Sequence, residues 1–363
     1  MIGLRSFLVL GLASLAVGQC AKAPPQPVVL PIAPVKAGPE ISLVTTPVPL
    51  SSANPPPPSL ASGSIGRFVY AGGIAISSPD TTRLHGLSDL KFGPDGGIVS
   101  ISDDGDLFEA RLKLDDTGRL VGLTDGKLSP LKGPDGRPLQ GKDQADAEGL
   151  AILANGDRLV SFERNHRIWL YPRQSDGTYG PPRAVNKPAT TFPDNEGMEA
   201  LTAYPIAGPD AYLVGGEEGE VWLCKVSAPC VGLAPQSPPD FTWGLTSFAA
   251  FEGQAIAALY RAVDPVRGWR GQIRFIVDPR APAAKQALAA TLTLDGAVTR
   301  DNFEGIALSK SPPNSPMAGA TRIYILSDDN DMSFERTLLM AFDWTAPPPP
   351  PPAPPKKAPV RRR

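Results

Sequence analysis

The segment EGLAILANGDRLVSFER at residues 148–164 contains two short apolar runs separated by the turn sequence NGD. Asn-Gly between such runs predicts a tight β-hairpin, because both residues accept the positive φ angles that these turns require. The segment begins with a glutamate before a glycine and ends in the charged pair Glu163-Arg164. It therefore predicts two antiparallel strands whose free ends meet on one side and carry charge.

The same unit recurs along the chain. Each copy has one variable residue, a glycine and then Leu, Met or Ile, followed by an apolar run, a turn and a second run ending in charged residues. The copies begin at His85-Gly86-Leu87, Glu148-Gly149-Leu150, Glu196-Gly197-Met198, Trp243-Gly244-Leu245 and Glu304-Gly305-Ile306. A third β-rich run usually follows. Repeats of three or four short antiparallel strands are typical of a β-propeller, whose blades are radial sheets.

These repeats predict an all-β protein, a β-propeller of five blades, or six if one long connection holds a degenerate unit. The irregular spacing of the copies and the lack of helical segments disfavour a linear solenoid. The β-rich run at residues 67–76 precedes the first copy. We expect it to supply the outer strand of the last blade and so to close the ring. The propeller domain is placed at residues 66–345.

Both ends of the chain differ from this domain. Residues 1–20 combine one early positive charge with a short apolar run, which predicts a signal peptide too short to span a bilayer. Residues 21–65 and 346–363 are rich in proline, which totals 43 residues in the chain. Since neither segment has apolar periodicity, they predict a disordered linker and a disordered basic tail.

The end of the signal peptide allows two kinds of processing. The AVG sequence at residues 16–18 fits an ordinary cleavage site, whereas VGQC at residues 17–20 resembles a lipobox in which Cys20 would be lipidated. Gln19 stands where a lipobox has a small residue, so lipidation and membrane attachment rank second. In both cases the mature protein is expected outside the cytoplasm, in the periplasm or otherwise exported.

Cysteine usage agrees with export. Once the signal region is set aside, Cys224 and Cys230 remain, six residues apart across a segment that can turn back on itself. In an oxidising compartment this spacing predicts a local disulfide. A zinc site is not predicted, because there is no second cysteine pair and no nearby histidine to complete four ligands.

The charge of the chain limits its partners. A formal net charge of -2 argues against a nucleic-acid partner held by phosphate neutralisation. The sequence also has no Gly-x-Ser-x-Gly nucleophile motif, no glycine-rich phosphate loop and no His-Glu-x-x-His metal motif. We expect a monomer that binds a small anionic ligand.

The propeller geometry predicts where charged residues gather. The first strand of each blade lines the central channel, so the residue before each repeat glycine is expected in a ring at one opening. That ring is His85, Glu148, Glu196, Trp243 and Glu304. The second strands return to the same face and bring Asp103, Asp104, Glu163, Glu217, Glu218, Asp328 and Asp329, together with Arg164 and Arg261.

Carboxylates that converge in a funnel repel one another, which raises their pKa values or requires a cation. Ca²⁺ is the preferred candidate, because it takes six to eight oxygen ligands, whereas two histidines in the chain make Zn²⁺ a poorer one. In a metal-free alternative, arginines pair with the carboxylates or hold an anionic substrate. His85 is either a general base or a strand cap, and Trp243 is either a channel plug or a platform for a ligand ring.

Several stretches resemble the "esterase-like activity of phytase" family, also called phytase-like domain proteins. They are DAEGLA at residues 146–151, SFER at 161–164, NEGMEA at 195–200, DNFEGI at 301–306, LSDDN at 326–330 and RTLL at 336–339. They span most of the domain in order. The resemblance implies an exported, propeller-like protein.

The resemblance also implies Ca²⁺-assisted hydrolysis of phosphate or other esters at the acidic channel mouth. Better-understood β-propeller phytases hold several Ca²⁺ ions in an acidic channel mouth. By analogy with them, the metal ligands are Glu148, Glu163, Glu196, Glu199, Glu304, Asp328 and Asp329. The predicted catalytic residues are Glu148, Glu304, Arg164 and His85, and the predicted substrate-binding residues are Arg261, Arg336 and Trp243. Phytate itself is disfavoured, since the chain lacks a lysine-rich pocket. The alternative is a non-catalytic cell-envelope module that binds a ligand.

Overall fold

The computed structural model describes residues 39–251 and 253–345. Strands dominate these residues, and the helices are short: α1 at Lys142–Ala145 and 3-10 turns at Pro58–Leu60, Pro205–Ala207 and Ala283–Lys285. Within the described ranges, no helix has the length and apolarity needed to cross a bilayer. The predicted signal peptide, Cys20 and the basic tail lie outside the described residues.

The strands form five four-stranded blades, and two short strands lie outside them. In chain order the first three strands are β1 (Val44–Pro47), β2 (Ser64–Ile65) and β3 (Phe68–Ser77). Blade I contains β4 (Leu87–Phe92), β5 (Ile98–Ser102), β6 (Asp106–Leu114) and β7 (Leu120–Pro130). Blade II contains β8 (Ala147–Ile152), β9 (Arg158–Phe162), β10 (Arg167–Tyr171) and β11 (Arg183–Ala184).

The remaining blades follow the same plan, in which neighbouring strands pair antiparallel. Blade III contains β12 (Ala200–Ala203), β13 (Ala211–Gly215), β14 (Val221–Lys225) and β15 (Ala228–Gly232). Blade IV contains β16 (Trp243–Ala250), β17 (Ile256–Asp264), β18 (Gly268–Ile276) and β19 (Leu288–Leu294). Blade V contains β20 (Asn302–Lys310), β21 (Thr321–Asp328), β22 (Leu338–Trp344) and, as its outer strand, β3.

The ring is closed by strands from opposite ends of the domain. β3 pairs antiparallel with β22, with Ile74 opposite Leu339 and Val69 opposite Asp343. The inner strands β4, β8, β12, β16 and β20 pack against one another in that order, and β20 packs back on β4. The predicted five-bladed propeller and its closing strand are therefore confirmed.

The inner strands approach each other closely, which explains two of the repeat glycines. A Cβ atom added to Gly305 would lie 2.8 Å from the backbone nitrogen of Leu90 in the next blade. A Cβ added to Gly149 would lie 2.7 Å from the carbonyl oxygen of Glu199. Because real side chains do not reach such distances from a neighbouring backbone, these two positions require glycine.

The predicted linker is wrong from residue 39 onward. β1 pairs antiparallel with β3, and the following segment contributes Val48 and Leu50 to the core between blades IV and V. The backbone of Leu50 accepts a hydrogen bond from the amide of Thr299 at 2.7 Å. The proline-rich composition of this segment predicted disorder. The segment is nevertheless ordered, because burial of a few apolar side chains on the propeller surface is enough to fix an irregular segment.

A buried ion pair on the inner strand β4 contacts the inner strands of other blades. Asp89 is 0% exposed, and its Oδ1 accepts hydrogen bonds from Lys91 Nζ and Ser247 Oγ, both at 2.6 Å. Its Oδ2 accepts from the amide of Leu150 at 2.7 Å. Lys91 Nζ also lies 3.5 Å from the carbonyl oxygen of Ile306. One carboxylate and one ammonium thus join blades I, II, IV and V.

The predicted disulfide is confirmed. Cys224 on β14 is bonded to Cys230 on β15, six residues away in sequence. Cys224 is fully buried in the core between blades II and III. The bridge therefore fastens the outer hairpin of blade III to that core.

Replacing both cysteines by alanine is expected to lower the free energy of unfolding by about 2 kcal/mol, since the bridge closes only a short loop. Urea denaturation of the variant and of the oxidised parent measures the difference. Loss of the whole native fold on replacement would contradict this local role.

Candidate metal and substrate site at the channel mouth

A β-bulge near the start of the inner strand recurs from blade to blade. The strand register shifts by one residue between Ala147 and Gly149, and again between Phe303 and Gly305. An extra residue at such a bulge leaves the ladder and its side chain is turned out of the sheet. The bulge residues are Ser88 in blade I, Glu148 in blade II, Thr246 in blade IV and Glu304 in blade V. In blade III the equivalent residue, immediately before β12, is Glu199.

The predicted ring is therefore wrong at three of its five positions. In blades I, III and IV the repeat glycine lies two residues before the bulge position, whereas in blades II and V it follows the bulge residue. His85, Glu196 and Trp243 consequently lie three residues before the bulge residues of their blades. The structure places Ser88, Glu199 and Thr246 at the corresponding positions instead.

The three displaced residues occupy the rim outside the ring. His85 Nε2 lies 3.6 Å from Asp104 Oδ2. Glu196 is exposed and lines a separate depression beside the mouth. Trp243 packs under the guanidinium of Arg270, 4.8 Å from its ring centre. None of the three lines the cavity at the mouth.

That cavity has a volume of about 400 Å³ and is lined almost entirely by polar side chains. Eight acidic and three basic residues contribute to it, so its charge is strongly negative. The lining residues are Ser88, Asp103, Lys142, Asp146, Glu148, Glu163, Arg164, Asn195, Glu199, Glu217, Arg261, Glu304, Asp328 and Asn330. Seven of the predicted site residues therefore meet in this cavity: Glu148, Glu163, Glu199, Glu304, Asp328, Arg164 and Arg261.

Two further predicted site residues lie outside the cavity. Asp329 accepts hydrogen bonds from the amide of Gly86 at 3.1 Å and from Thr337 Oγ1 at 2.9 Å. Oδ1 thus joins blade V to blade I, whereas Oδ2 is held by Thr337, immediately before β22 of the same blade V. Arg336 is half-exposed, and its Nε lies 3.4 Å from Asp301 Oδ2.

The closest carboxylates form a cluster at the blade II side. Asp146, Glu148 and Glu163 each place one oxygen within 4.8 Å of the others. Oxygens bound to one Ca²⁺ ion at about 2.4 Å must lie within about twice that distance of each other, so this cluster satisfies the spacing. Asp146 was missed as a candidate ligand, although it belongs to the DAEGLA stretch. Asp146 lies immediately before β8, and nothing in the sequence indicated that its carboxylate would lie beside that of Glu148.

The three cations of the cavity are all paired with carboxylates. Arg164 Nε donates to Asp146 Oδ2 at 2.7 Å, and Lys142 forms a short ion pair with Asp103. Arg261 Nε lies 3.1 Å from Glu304 Oε1. Arg164 and Lys142 are 37% and 43% exposed, whereas Arg261 is more deeply placed at 27%. The two exposed cations can therefore contact a ligand in the cavity.

Crowding shifts the carboxyl groups toward their protonated forms. Burial, followed by the charges of Glu199 and Glu304, raises the pKa of Glu148 well above its ordinary value. Burial and then Asp146 raise the pKa of Glu163 to about 7, and Glu163 also shares a hydrogen bond with Glu199. In the absence of a cation, these groups are therefore easier to protonate than isolated carboxyl groups.

The stability of the metal-free protein should therefore fall as pH rises from about 5 to 8. Between its ordinary value of 4.5 and its folded value of about 7, Glu163 binds more protons in the native than in the unfolded state. Because the native state must release these protons, the free energy of unfolding decreases, by at most about 3 kcal/mol for this group. Urea denaturation at several pH values, with chelator present, measures the effect.

Glu163→Gln should flatten this pH profile, and Ca²⁺ should oppose the loss at pH 8 by binding the deprotonated groups. A metal-free protein that becomes more stable over the same pH range would contradict the assigned cause.

A family model described as "Phytase-like: Esterase-like activity of phytase" matches residues 82–331, more than half of the chain. The chain belongs to this family. The matched region of the phytase-like chain contains every residue that lines the mouth cavity. No curated protein matches the chain.

Solved structures similar to this phytase-like chain include three propeller-like folds. Streptogramin B lyase shares 11% identity at a TM-score of 0.40, over 84% of this chain and 98% of that chain. The Dos1 propeller shares 13% identity at a TM-score of 0.36, over 82% of this chain and 70% of that chain. The Nup133 β-propeller domain of Vanderwaltozyma polyspora shares 12% identity at a TM-score of 0.35, over 86% of this chain and 92% of that chain. At these identities the likeness concerns the fold alone.

Proposed function

We propose that this phytase-like propeller is a Ca²⁺-dependent hydrolase of phosphate or other esters, with the mouth cavity as its active site. The observation that carries the proposal is the cluster of Asp146, Glu148 and Glu163, whose oxygens lie within 4.8 Å of one another. The family description, esterase-like activity of phytase, supports the same reaction class.

The donor set fits Ca²⁺ better than a softer metal. The lining of the cavity offers carboxylates, two amides and a hydroxyl, but no histidine or cysteine. Such all-oxygen sites suit hard cations. Asp103 Oδ1, in the same lining, is buried and has no hydrogen-bond partner. Because a buried oxygen without a partner is costly, a cation in the cavity would also relieve this group.

A bound divalent cation would supply Lewis acidity to the ester and to the attacking water. The remaining work falls to the side chains of the chain. Arg164 and Lys142, the exposed cations, would hold the anionic part of the ester. Arg261 would act as a positioning residue, because its ion pair with Glu304 fixes that carboxylate at the mouth.

Hydrolysis of p-nitrophenyl phosphate and p-nitrophenyl acetate tests the proposal. Turnover should require Ca²⁺, disappear with chelator and return when Ca²⁺ is added back. Glu148→Gln combined with Glu304→Gln should abolish turnover while the circular dichroism spectrum stays native. Calcium binding by calorimetry without turnover of either ester would instead support the non-catalytic envelope module.

We further propose that the protein works outside the cytoplasm as a monomer, with an ester or anionic small molecule as its partner and no nucleic acid. The disulfide between Cys224 and Cys230 supports an oxidising compartment. Cleavage near residue 18 is proposed first and lipidation of Cys20 second. Mass spectrometry of the mature N-terminus separates these two, since only the second adds acyl chains to a cysteine.

A further inference from the structure

A second cavity lies between blades I and II and shares no lining residue with the mouth cavity. Its volume is about 660 Å³, within the range of small-molecule sites. Its walls are mainly apolar and aromatic: Leu107, Leu131, Val160, Tyr171 and Tyr179 contribute to them. This combination of size and lining suits a ligand with an apolar or aromatic body.

The cavity also contains a buried cation. Arg158 is 6% exposed, and its guanidinium lies 3.7 Å from the ring centre of Tyr179. One terminal nitrogen donates to Glu109 in a short ion pair. Its Nε is buried and has no hydrogen-bond partner. A guanidinium has five donors, and an unused buried donor is costly unless a ligand accepts from it.

The charges of the lining favour an anion. Arg158, Lys127 and Lys132 carry positive charge, and Glu109 is the acidic residue in the same lining. The surplus of two positive charges contrasts with the acidic mouth. An anionic group near Arg158 would gain a charge-assisted hydrogen bond and lie beside aromatic rings.

We propose that the cavity between blades I and II is a separate binding site for a small aromatic or apolar anion, held by Arg158 with Lys127 and Lys132. Tyr171 and Tyr179 contact the apolar body. The site depends on no property of the mouth cavity, so it stands whether or not the protein hydrolyses esters.

Two fluorescent probes with the same ring system test the site: anilinonaphthalene sulfonate, an anion, and phenylnaphthylamine, which lacks the sulfonate. The sulfonate probe should bind one per chain and about 10-fold more tightly than the neutral probe. Arg158→Met should remove this preference. The matched control is Arg274→Met, because Arg274 also stacks on a tyrosine, 4.8 Å from the ring centre of Tyr260, yet lies outside the cavity.

Lys132→Gln, at an exposed position, should weaken the sulfonate probe with little effect on folding, and so keeps the test valid if Arg158→Met unfolds. Saturating Ca²⁺ and p-nitrophenyl phosphate should leave probe binding unchanged. The proposal fails if binding is not saturable, if both probes bind equally, or if the Arg158 and Arg274 variants behave alike. Displacement by the mouth ligands would also overturn it.

Discussion

Glu199→Gln is expected to lower the affinity for Ca²⁺ by about 100-fold, whereas Glu196→Gln, three residues earlier, should change it by less than about 2-fold. Glu199 occupies the bulge position of blade III, is 6% exposed and shares a hydrogen bond with Glu163. Glu196 is exposed to solvent and lies outside the mouth cavity. Isothermal calorimetry on both variants measures the difference.

The pair of variants is closely matched, because both remove one negative charge from the same short segment. A general loss of surface charge would weaken Ca²⁺ binding equally in the two proteins. Equal effects, or a larger effect for Glu196→Gln, would refute the register in which the bulge residue points into the mouth. Hydrolysis of p-nitrophenyl phosphate should follow the same order as affinity.

Asp89→Ala is expected to destabilise the protein by about 3–5 kcal/mol, the largest effect on stability that we anticipate for a single polar residue. The substitution leaves the ammonium of Lys91 buried without its 2.6 Å partner. It also removes the acceptor for Ser247 Oγ and for the amide of Leu150. Urea denaturation measures the loss.

A second variant separates the unpaired charge from the loss of packing. Asp89→Leu combined with Lys91→Met should recover most of the stability, because an apolar pair leaves no buried charge unsatisfied. Arg111→Ala, which breaks the exposed pair with Asp95, should cost no more than about 1 kcal/mol. If Asp89→Ala cost no more than Arg111→Ala, the buried pair of Asp89 and Lys91 would have no structural role.

The five blades could be predicted because their signals are local. The turn NGD at residues 155–157 forces a hairpin, and the apolar runs on both sides have the length of strands. The closing role of β3 could also be predicted, because the β-rich run at residues 67–76 belongs to no repeat and the last blade needs an outer strand. Order in residues 39–65 was missed, because burial of Val48 and Leu50 depends on a surface formed by distant blades.

The register of the ring could not be found from the glycines, because glycine occurs on either side of the bulge. The signal that does identify the register is a pattern of four consecutive residues: apolar, polar, small or acidic, and apolar. The second of the four is the bulge residue. Leu87-Ser88-Asp89-Leu90, Met198-Glu199-Ala200-Leu201 and Phe303-Glu304-Gly305-Ile306 all follow it. A bulge is a property of two paired strands, so its position becomes certain only when both are placed.

The pairing of β3 with β22 has a consequence for biogenesis. During synthesis the ribosome releases β3 some 260 residues before its partner β22, so the apolar edge of β3 must wait for most of the chain to emerge. A product that stops before Leu338 would display that edge permanently and invite intermolecular pairing. Premature termination near the end of the domain should therefore yield aggregates and not a four-bladed remnant.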